Sequence, residues 1–412
     1  MTDQQNTPEL RFPEFKEEWI EYYLGNNAII KGRLGWKGLK QSEYLNNGYA
    51  YLIANKHIKN GRIIWEETDQ INKFRYDESP EIALETGDLI FSKDGALGNP
   101  ALIKNLPKPA SINSTMMLVR LNKNNFIPNF FYQILLGPLF NKLIYLKVSG
   151  SSIPHLFQAD MKEFKFKAPL LPEQEKIGNF FSKLDRQIEL EEKKLEILEQ
   201  QKHGYMQKIF SQELRFKDEN GELYPEWRQK KIGELAQIVR GASPRPIKDP
   251  KWFDINSDIG WLRIADVTEQ NGKINFLEQR LSKEGQSKTR VLKSTHLLLS
   301  IAASVGKPVI NFVKTGVHDG FLIFLNPQFN IYYMYNWLDF FKKVWNKYGQ
   351  PGSQVNLNSD IVKSQEIRIP HINEQNKIAD FLESIDKLVI KQSNKVELLK
   401  QRKKGLLQKM FV

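Results

Sequence analysis

Thirteen residues are written almost identically twice in this chain. EQEKIGNFFSKLD spans Glu173–Asp185, and EQNKIADFLESID spans Glu374–Asp386, 201 positions later. Extended to 171–210 and 372–411, the alignment needs no gap and keeps fifteen identities in forty. Pro169 and Pro370 lie in register just upstream. A second marker, ELRF, opens each copy at Glu9–Phe12 and Glu213–Phe216, and a Pro-containing lead then reaches Trp19 and Trp227. A duplication on this scale restricts the chain to architectures built from two similar units. The expected organisation is a segment at 1–16 matching the start of the second copy, a globular region at 17–170, a helical spacer and linker at 171–222, a second globular region at 223–371 and a second helical spacer at 372–412.

The duplicated segments have the period of long helices. Steps of four and three lead through Ile177, Phe181, Leu184, Ile188, Glu191, Leu195, Leu198, Lys202, Tyr205 and Ile209. The matching positions are Ile378, Leu382, Ile385, Val389, Gln392, Val396, Leu399, Lys403, Leu406 and Met410. A 3.5-residue apolar repeat is a coiled-coil seam. Both copies interrupt it at the same places, Glu191/Gln392 and Lys202/Lys403, and polar seam residues specify register and orientation at some cost in stability. Each helix should run about 57 Å, at ~1.5 Å per residue over ~38 residues. The reading is an antiparallel pair, which relates the copies by an approximate two-fold axis. Gly204 and Gly405 match inside the helices, where a partner's close approach, a local bend or fraying before the helix end would account for them.

The globular regions match more loosely. YLIANKHIKNGRI (51–63) resembles WLRIADVTEQNGKI (261–274), and GDLIFSKDGALGNPALI (87–103) resembles THLLLSIAASVGKPVIN (295–311). Ser92/Ser300, Gly98/Gly306 and Pro100/Pro308 align at one offset. Each copy then shows an aromatic-rich helix, 128–147 and 330–348, and a Gly-Ser turn, GSS at 150 and GSQ at 352. Short strands mixed with helices predict α+β domains. The polar loops disagree: KGRLGWKGLK (31–40) faces RGASPRPIKDPKW (240–252). A shared framework with different loops suggests one kind of partner read in two different ways.

Charge points to that partner. The net charge is +12, with +4 in residues 17–170 and +8 in 223–371, so the excess sits in the globular regions. A basic balance favours a polyanion such as nucleic acid. The absence of Cys removes disulfides, thiolate zinc sites and Cys nucleophiles, and suits a reducing cytoplasm. No signal-peptide pattern opens the chain, and its most apolar run is too short to span a bilayer, so no membrane partner is expected. No phosphate-cradling loop, nucleophile elbow or HExxH motif is present. The six His residues form no metal-ligand pattern, and His318-Asp319 reads as a turn before a strand. NPQF (326–329) departs from an adenine-methyltransferase motif at its third position and reads as a loop. These exclusions predict a binding protein rather than an enzyme. Its two basic modules would sit on DNA half-sites as a dimer's modules do.

The doubled P-x-x-x-EQ-x-KI segments, Pro169–Phe210 and Pro370–Phe411, with the G-x-P turns after the Ser92 and Ser300 strands, resemble the specificity subunit of type I restriction–modification systems. The resemblance covers nearly the whole chain. It implies two target recognition domains separated by long helices, and a bipartite, asymmetric double-stranded DNA target. It also implies two adenine methyltransferase subunits and motor-nuclease restriction subunits as partners. S-adenosylmethionine, ATP and Mg would belong to those partners, with no cofactor and no metal in this chain. A related bipartite system with methyltransferase and nuclease fused in one partner would look the same from this sequence. An enzyme with degraded motifs and a structural scaffold are rivals of other classes.

The expected DNA-binding residues are Lys31, Arg33, Lys37, Lys40, Ser92 and Lys93 in the first domain. In the second they are Arg240, Arg245, Lys248, Lys251, Lys288, Arg290 and Ser300. Arg33, Arg240 and Arg245 lie in Gly/Pro-flanked loops and are favoured for base contact, because Arg can read guanine bidentately. The Lys residues are favoured for phosphate.

Overall fold

The duplicated motifs explain themselves in the computed structural model, which describes residues 7–34, 39–149, 154–301, 305–345 and 357–411. The Gly-Ser turns at 150 and 352 lie outside those residues. Each ELRF segment is tied to the EQ pair of its own copy. Arg11 donates to both carboxylate oxygens of Glu173, at 2.8 and 2.7 Å, and Arg215 to both of Glu374, at 2.7 and 3.0 Å. Trp227 Nε1 also donates to Glu374, at 3.1 Å. Both carboxylates are buried, so removing either Arg would strand a charge at a cost of about 3–5 kcal/mol. The neighbouring Gln fastens the helix start to the globular region. Gln174 donates to the carbonyls of Pro169 and Asn125 and accepts from Ile127 N; Gln375 donates to Pro370 O and accepts from Asn330 N.

Two continuous helices follow these locks, Leu171–Phe210 and Ile372–Met410. The chain divides into two units whose boundaries fall inside them: Met1–Glu192 with Asn394–Val412, and Lys193–Ser393. Each unit therefore holds one globular region, the first half of its own long helix and the last half of the other.

The first unit is built on an antiparallel sheet in the order Ala28–Gly32, Met116–Leu121, Leu89–Ser92, Gly98–Leu102. Its central strands are apolar on both faces, and the two-residue period sends alternate side chains into different cores. Leu89, Phe91, Met117 and Val119 face a core shared with the helices. Ile90, Met116 and Leu118 face a core under a second sheet, Asp69–Ile71, Ala50–Ile53, Ala110–Ile112. A ribbon of Ile20–Tyr23 against Lys165–Ala168 closes the region beside the long helix. Where one aromatic-rich helix was expected there are two, Pro128–Leu136 and Pro138–Ser149. Gly137 is extended at their junction, because Pro138 cannot donate to a continuing helix and disfavours helical geometry in the residue before it.

The second unit repeats this plan. Its main sheet runs Gln237–Arg240, Phe321–Leu325, His296–Ser300, Pro308–Asn311, Lys273–Ile274. Leu297, Leu299, Leu322 and Phe324 face the helix Ile331–Trp345 and the long helices, while Leu298, Val309 and Ile323 face the other way. The small sheet differs in its third strand. In the first unit Asp69–Ile71 pairs with Ala50–Ile53; in the second, Arg290–Leu292 pairs with Thr315–Val317, on the opposite edge.

Within each unit the partners on one long helix fall in number as those on the other rise. In the first, Phe411 lies 6.0 Å from Phe181, Lys403 pairs with Asp185 at 2.6 Å, and Lys395 pairs with Glu191. In the second, Tyr205 meets Phe381 edge-on at 5.1 Å and Lys202 pairs with Asp386 at 2.7 Å. The inward positions follow the expected pattern except near the helix ends. There Met206 and Leu407 are buried, while Tyr205 is 40% exposed and Leu406 half-buried. A straight helix turns every 3.6 residues, so a strict 3.5-residue pattern drifts off the buried face along its length. Among the described residues, nothing beyond its own helix lies within 4 Å of where a Cβ would sit on Gly204 or Gly405.

Candidate nucleic-acid interface

In the second unit the strand Gln237–Arg240 delivers its last residue into the loop that carries Arg245, Lys248 and Lys251. Asp319, in the turn before Phe321–Leu325, organises that loop. Arg240 Nε donates to Asp319 O at 2.6 Å, Arg245 to Asp319 Oδ2 at 2.7 Å, and Ser243 Oγ to Oδ1 at 3.0 Å. Arg290 Nε donates to Arg240 O at 2.7 Å. Two guanidinium groups thus converge on one turn, with Arg290 fastened to the strand end beside them, and all three remain exposed. Burial opposes ionisation of Asp319, yet the Ser243 hydroxyl, His318 and Arg245 hold its carboxyl below the ordinary range. Burial lowers the pKa of His318 against the opposing pull of Asp319, with Arg245 and Arg240 adding to the drop. Each Arg spends one donor on this scaffold and has donors left among the described residues, so the cluster is both held in place and able to bond outward. Lys248 and Lys288 are exposed, and Lys251 lies over the Trp252 ring at 4.4 Å and pairs with Asp249 at 3.2 Å. Ser300 is fully buried, so its hydroxyl lies inside the domain rather than beside the exposed cations.

The first unit departs further from expectation. Arg33 is only 4% exposed. Its Nε donates to Ile112 O at 3.1 Å, and its terminal nitrogens to the Ser79 and Ser111 hydroxyls at 3.2 and 3.0 Å. Three of its donors knit the main sheet to the small one, and its burial keeps the guanidinium away from the surface. Burial, reinforced by Arg75, lowers its pKa below the usual guanidinium range. Ser92 is also buried and donates to Asp94 O at 3.0 Å. Lys93 is half-buried with its amine 3.5 Å from Asp94 Oδ2. Lys31 and Lys40 are exposed, and Lys37 lies outside the described residues. The structure therefore brings together Arg240, Arg245 and Arg290 of the second domain and, among the described residues of the first, leaves Lys31 and Lys40 as the exposed cations of the expected set.

Sequence reasoning missed the Arg11–Glu173 and Arg215–Glu374 locks, the Gln174 and Gln375 anchors, and the Asp185 and Asp386 ion pairs. The signal was present: each of these residues is identical in both copies. Among the described residues no group of three or more His, Asp or Glu is placed to hold a metal ion. No helix among them is long and apolar enough to cross a membrane.

Two mixed domains sharing a framework, each carrying its own loops and a long helix, define a two-module binding protein. The profile of the type I restriction modification DNA specificity domain matches twice, at residues 30–200 and 224–400. These spans cover most of the chain, and the protein belongs to that family. It is a specificity subunit with two target recognition domains in tandem, the non-catalytic DNA-recognition component that assembles with the other subunits of its system. A type I restriction enzyme MjaVIII specificity subunit of Methanocaldococcus jannaschii is 24% identical over 418 residues, covering 97% of this chain and 94% of that one. A putative MjaX specificity subunit of the same organism is 23% identical over 370 residues, covering 84% and 83%. In fold, the chain resembles the Type-I restriction-modification S subunit of M. genitalium, with a TM-score of 0.58 at 15% identity, covering 98% of this chain and 99% of that one. It also resembles a chain from a type I R-M complex, with a TM-score of 0.56 at 17% identity, covering 94% and 96%.

Proposed function

We propose that each recognition domain reads one half of a bipartite, asymmetric DNA target, and that the long helices form an antiparallel coiled-coil spacer between the halves. The observation that carries this reading is the duplication itself: the two units share a sheet framework but present different loops. Different loops on one framework read different bases. Arg240 and Arg245, braced by Asp319, are the base-reading candidates, with Arg290 beside them. Lys31, Lys40, Lys248, Lys251 and Lys288 are suited to phosphate. Two adenine methyltransferase subunits would dock on similar helical faces, one per copy, and restriction subunits would join them. S-adenosylmethionine, ATP and Mg would be bound by those partners in the cytoplasm.

The test is a map of methylated adenines in a methylation-free host expressing this chain with its methyltransferase subunit. Two different half-sites at one fixed spacing are expected. The same sites methylated by the partner alone would overturn the reading, because this chain would then not choose the sequence.

A further inference from the structure

Asp185 and Asp386 end the duplicated thirteen-residue motif, and each sits where three elements meet. In the second unit the Asp386 carboxylate receives two amines: Lys202 Nζ on Oδ1 at 2.7 Å and Lys273 Nζ on Oδ2 at 2.8 Å. Lys202 belongs to the other long helix. Lys273 follows the Asn271-Gly272 turn of the recognition domain, whose left-handed backbone is held by Tyr335 Oη donating to Asn271 O at 3.1 Å. The first unit repeats the junction with one variation. Asp185 receives Lys403 Nζ from the other long helix at 2.6 Å, and Gln133 Nε2 of the recognition domain lies 3.4 Å away. Here the cation after the Asn60-Gly61 turn, Arg62, reaches Glu189 at 2.9 Å, one helical turn beyond Asp185. All five charged groups of the two Asp junctions are mostly shielded from water, with side chains 13–21% exposed.

The apolar contacts around these junctions do not by themselves choose a geometry. Hydrophobic attraction is non-directional, and an apolar repeat is satisfied again after a slip of seven residues. A shielded Lys–Asp pair is directional and loses its partner on any slip, so it penalises every alternative register. In the second unit the same carboxylate also holds Lys273 of the recognition domain, and in the first Glu189, one turn on, holds Arg62. We propose that Asp185 and Asp386, with Lys403, Lys202, Arg62 and Lys273, are positioning residues that set the number of unspecified bases between the two half-sites. This rests on the bipartite reading above and adds which side chains define the spacing.

The test is methylation mapping with the complete methyltransferase complex carrying Lys202→Met or Lys273→Met, with Lys273→Arg as the conservative control. Each single Met variant leaves Asp386 its other amine and keeps an apolar side chain of similar length, so the carboxylate is not stranded and the fold survives. The expected result is that both half-sites keep their sequence while spacers longer or shorter by one or more bases rise from background to at least a tenth of methylated sites. Lys273→Arg retains a single spacer. A single wild-type spacer in both Met variants would overturn the proposal alone, as would a folded complex that loses methylation at all sites alike. A wild-type map without two half-sites at one spacing would overturn the bipartite reading and this proposal with it.

Discussion

Arg33 and Arg245 show how little a side chain's type says about its role. Both are arginines in Gly/Pro-flanked loops. Arg33 is buried and donates to Ile112 O, Ser79 and Ser111, whereas Arg245 is 68% exposed and braced by a single carboxylate. Their substitutions should separate stability from recognition. Arg33→Ala leaves a cavity and two unpaired buried hydroxyls, and should cost about 2–4 kcal/mol. Thermal unfolding should report a midpoint lower by several degrees, with the methylated sequence unchanged. Arg240→Ala with Arg245→Ala removes exposed side chains and should leave the midpoint within about 2 °C. The same change should relax one half-site at one or two base positions, each by about 1–3 kcal/mol, and leave the other half-site intact. Neither burial nor exposure of these two residues was legible in the sequence, because it depends on the strand Ala110–Ile112 arriving beside Arg33 from far along the chain.

At the scale of elements, the long helices were the most legible part. Their period, their breaks and their matching positions all survive in the structure, and only the inward places near Met206 and Leu407 shifted. The reason is local: helical periodicity is set by residues three and four apart. The split at Gly137-Pro138 was legible too, from Pro138 itself, but lay inside a segment whose aromatic content suggested one helix. If the helices set the spacing, inserting four residues into each, after Leu198 and after Leu399, should lengthen the unspecified spacer by about two base pairs. That follows from ~6 Å of added helix against ~3.4 Å per base pair. Methylation mapping of the insertion variant checks it, and an unchanged spacer would exclude the helices as the ruler. The third strand of each small sheet was not legible. Its pairing on opposite edges in the two units is a long-range choice that a three-residue strand cannot declare.

For the whole molecule, the relevant quantity is charge. The +12 net charge resides mainly in the two recognition domains, which favours attraction to DNA regardless of sequence. If five of the exposed lysines each neutralise one phosphate, the affinity of the assembled complex should fall as about the 4.5th power of salt concentration, or several hundred-fold between 50 and 200 mM. Replacing Lys248 by Ala should reduce that slope by about one without changing the target. A titration at four salt concentrations measures both, and a flat salt response would show that these cations do not meet phosphate.

The sequence by itself determined the duplication, the two long helices, the mixture of short strands and helices in each copy and the family. Each of these is written in short-range pattern or in identity between copies. Only the tertiary structure decided that Arg11 and Arg215 lock onto Glu173 and Glu374, that Asp185 and Asp386 gather cations from other elements, and that Arg33 is a core residue. Those outcomes join residues tens to hundreds of positions apart. They depend on which surfaces close over one another when apolar cores form, and the cost of burying a charge then selects the partner that can satisfy it.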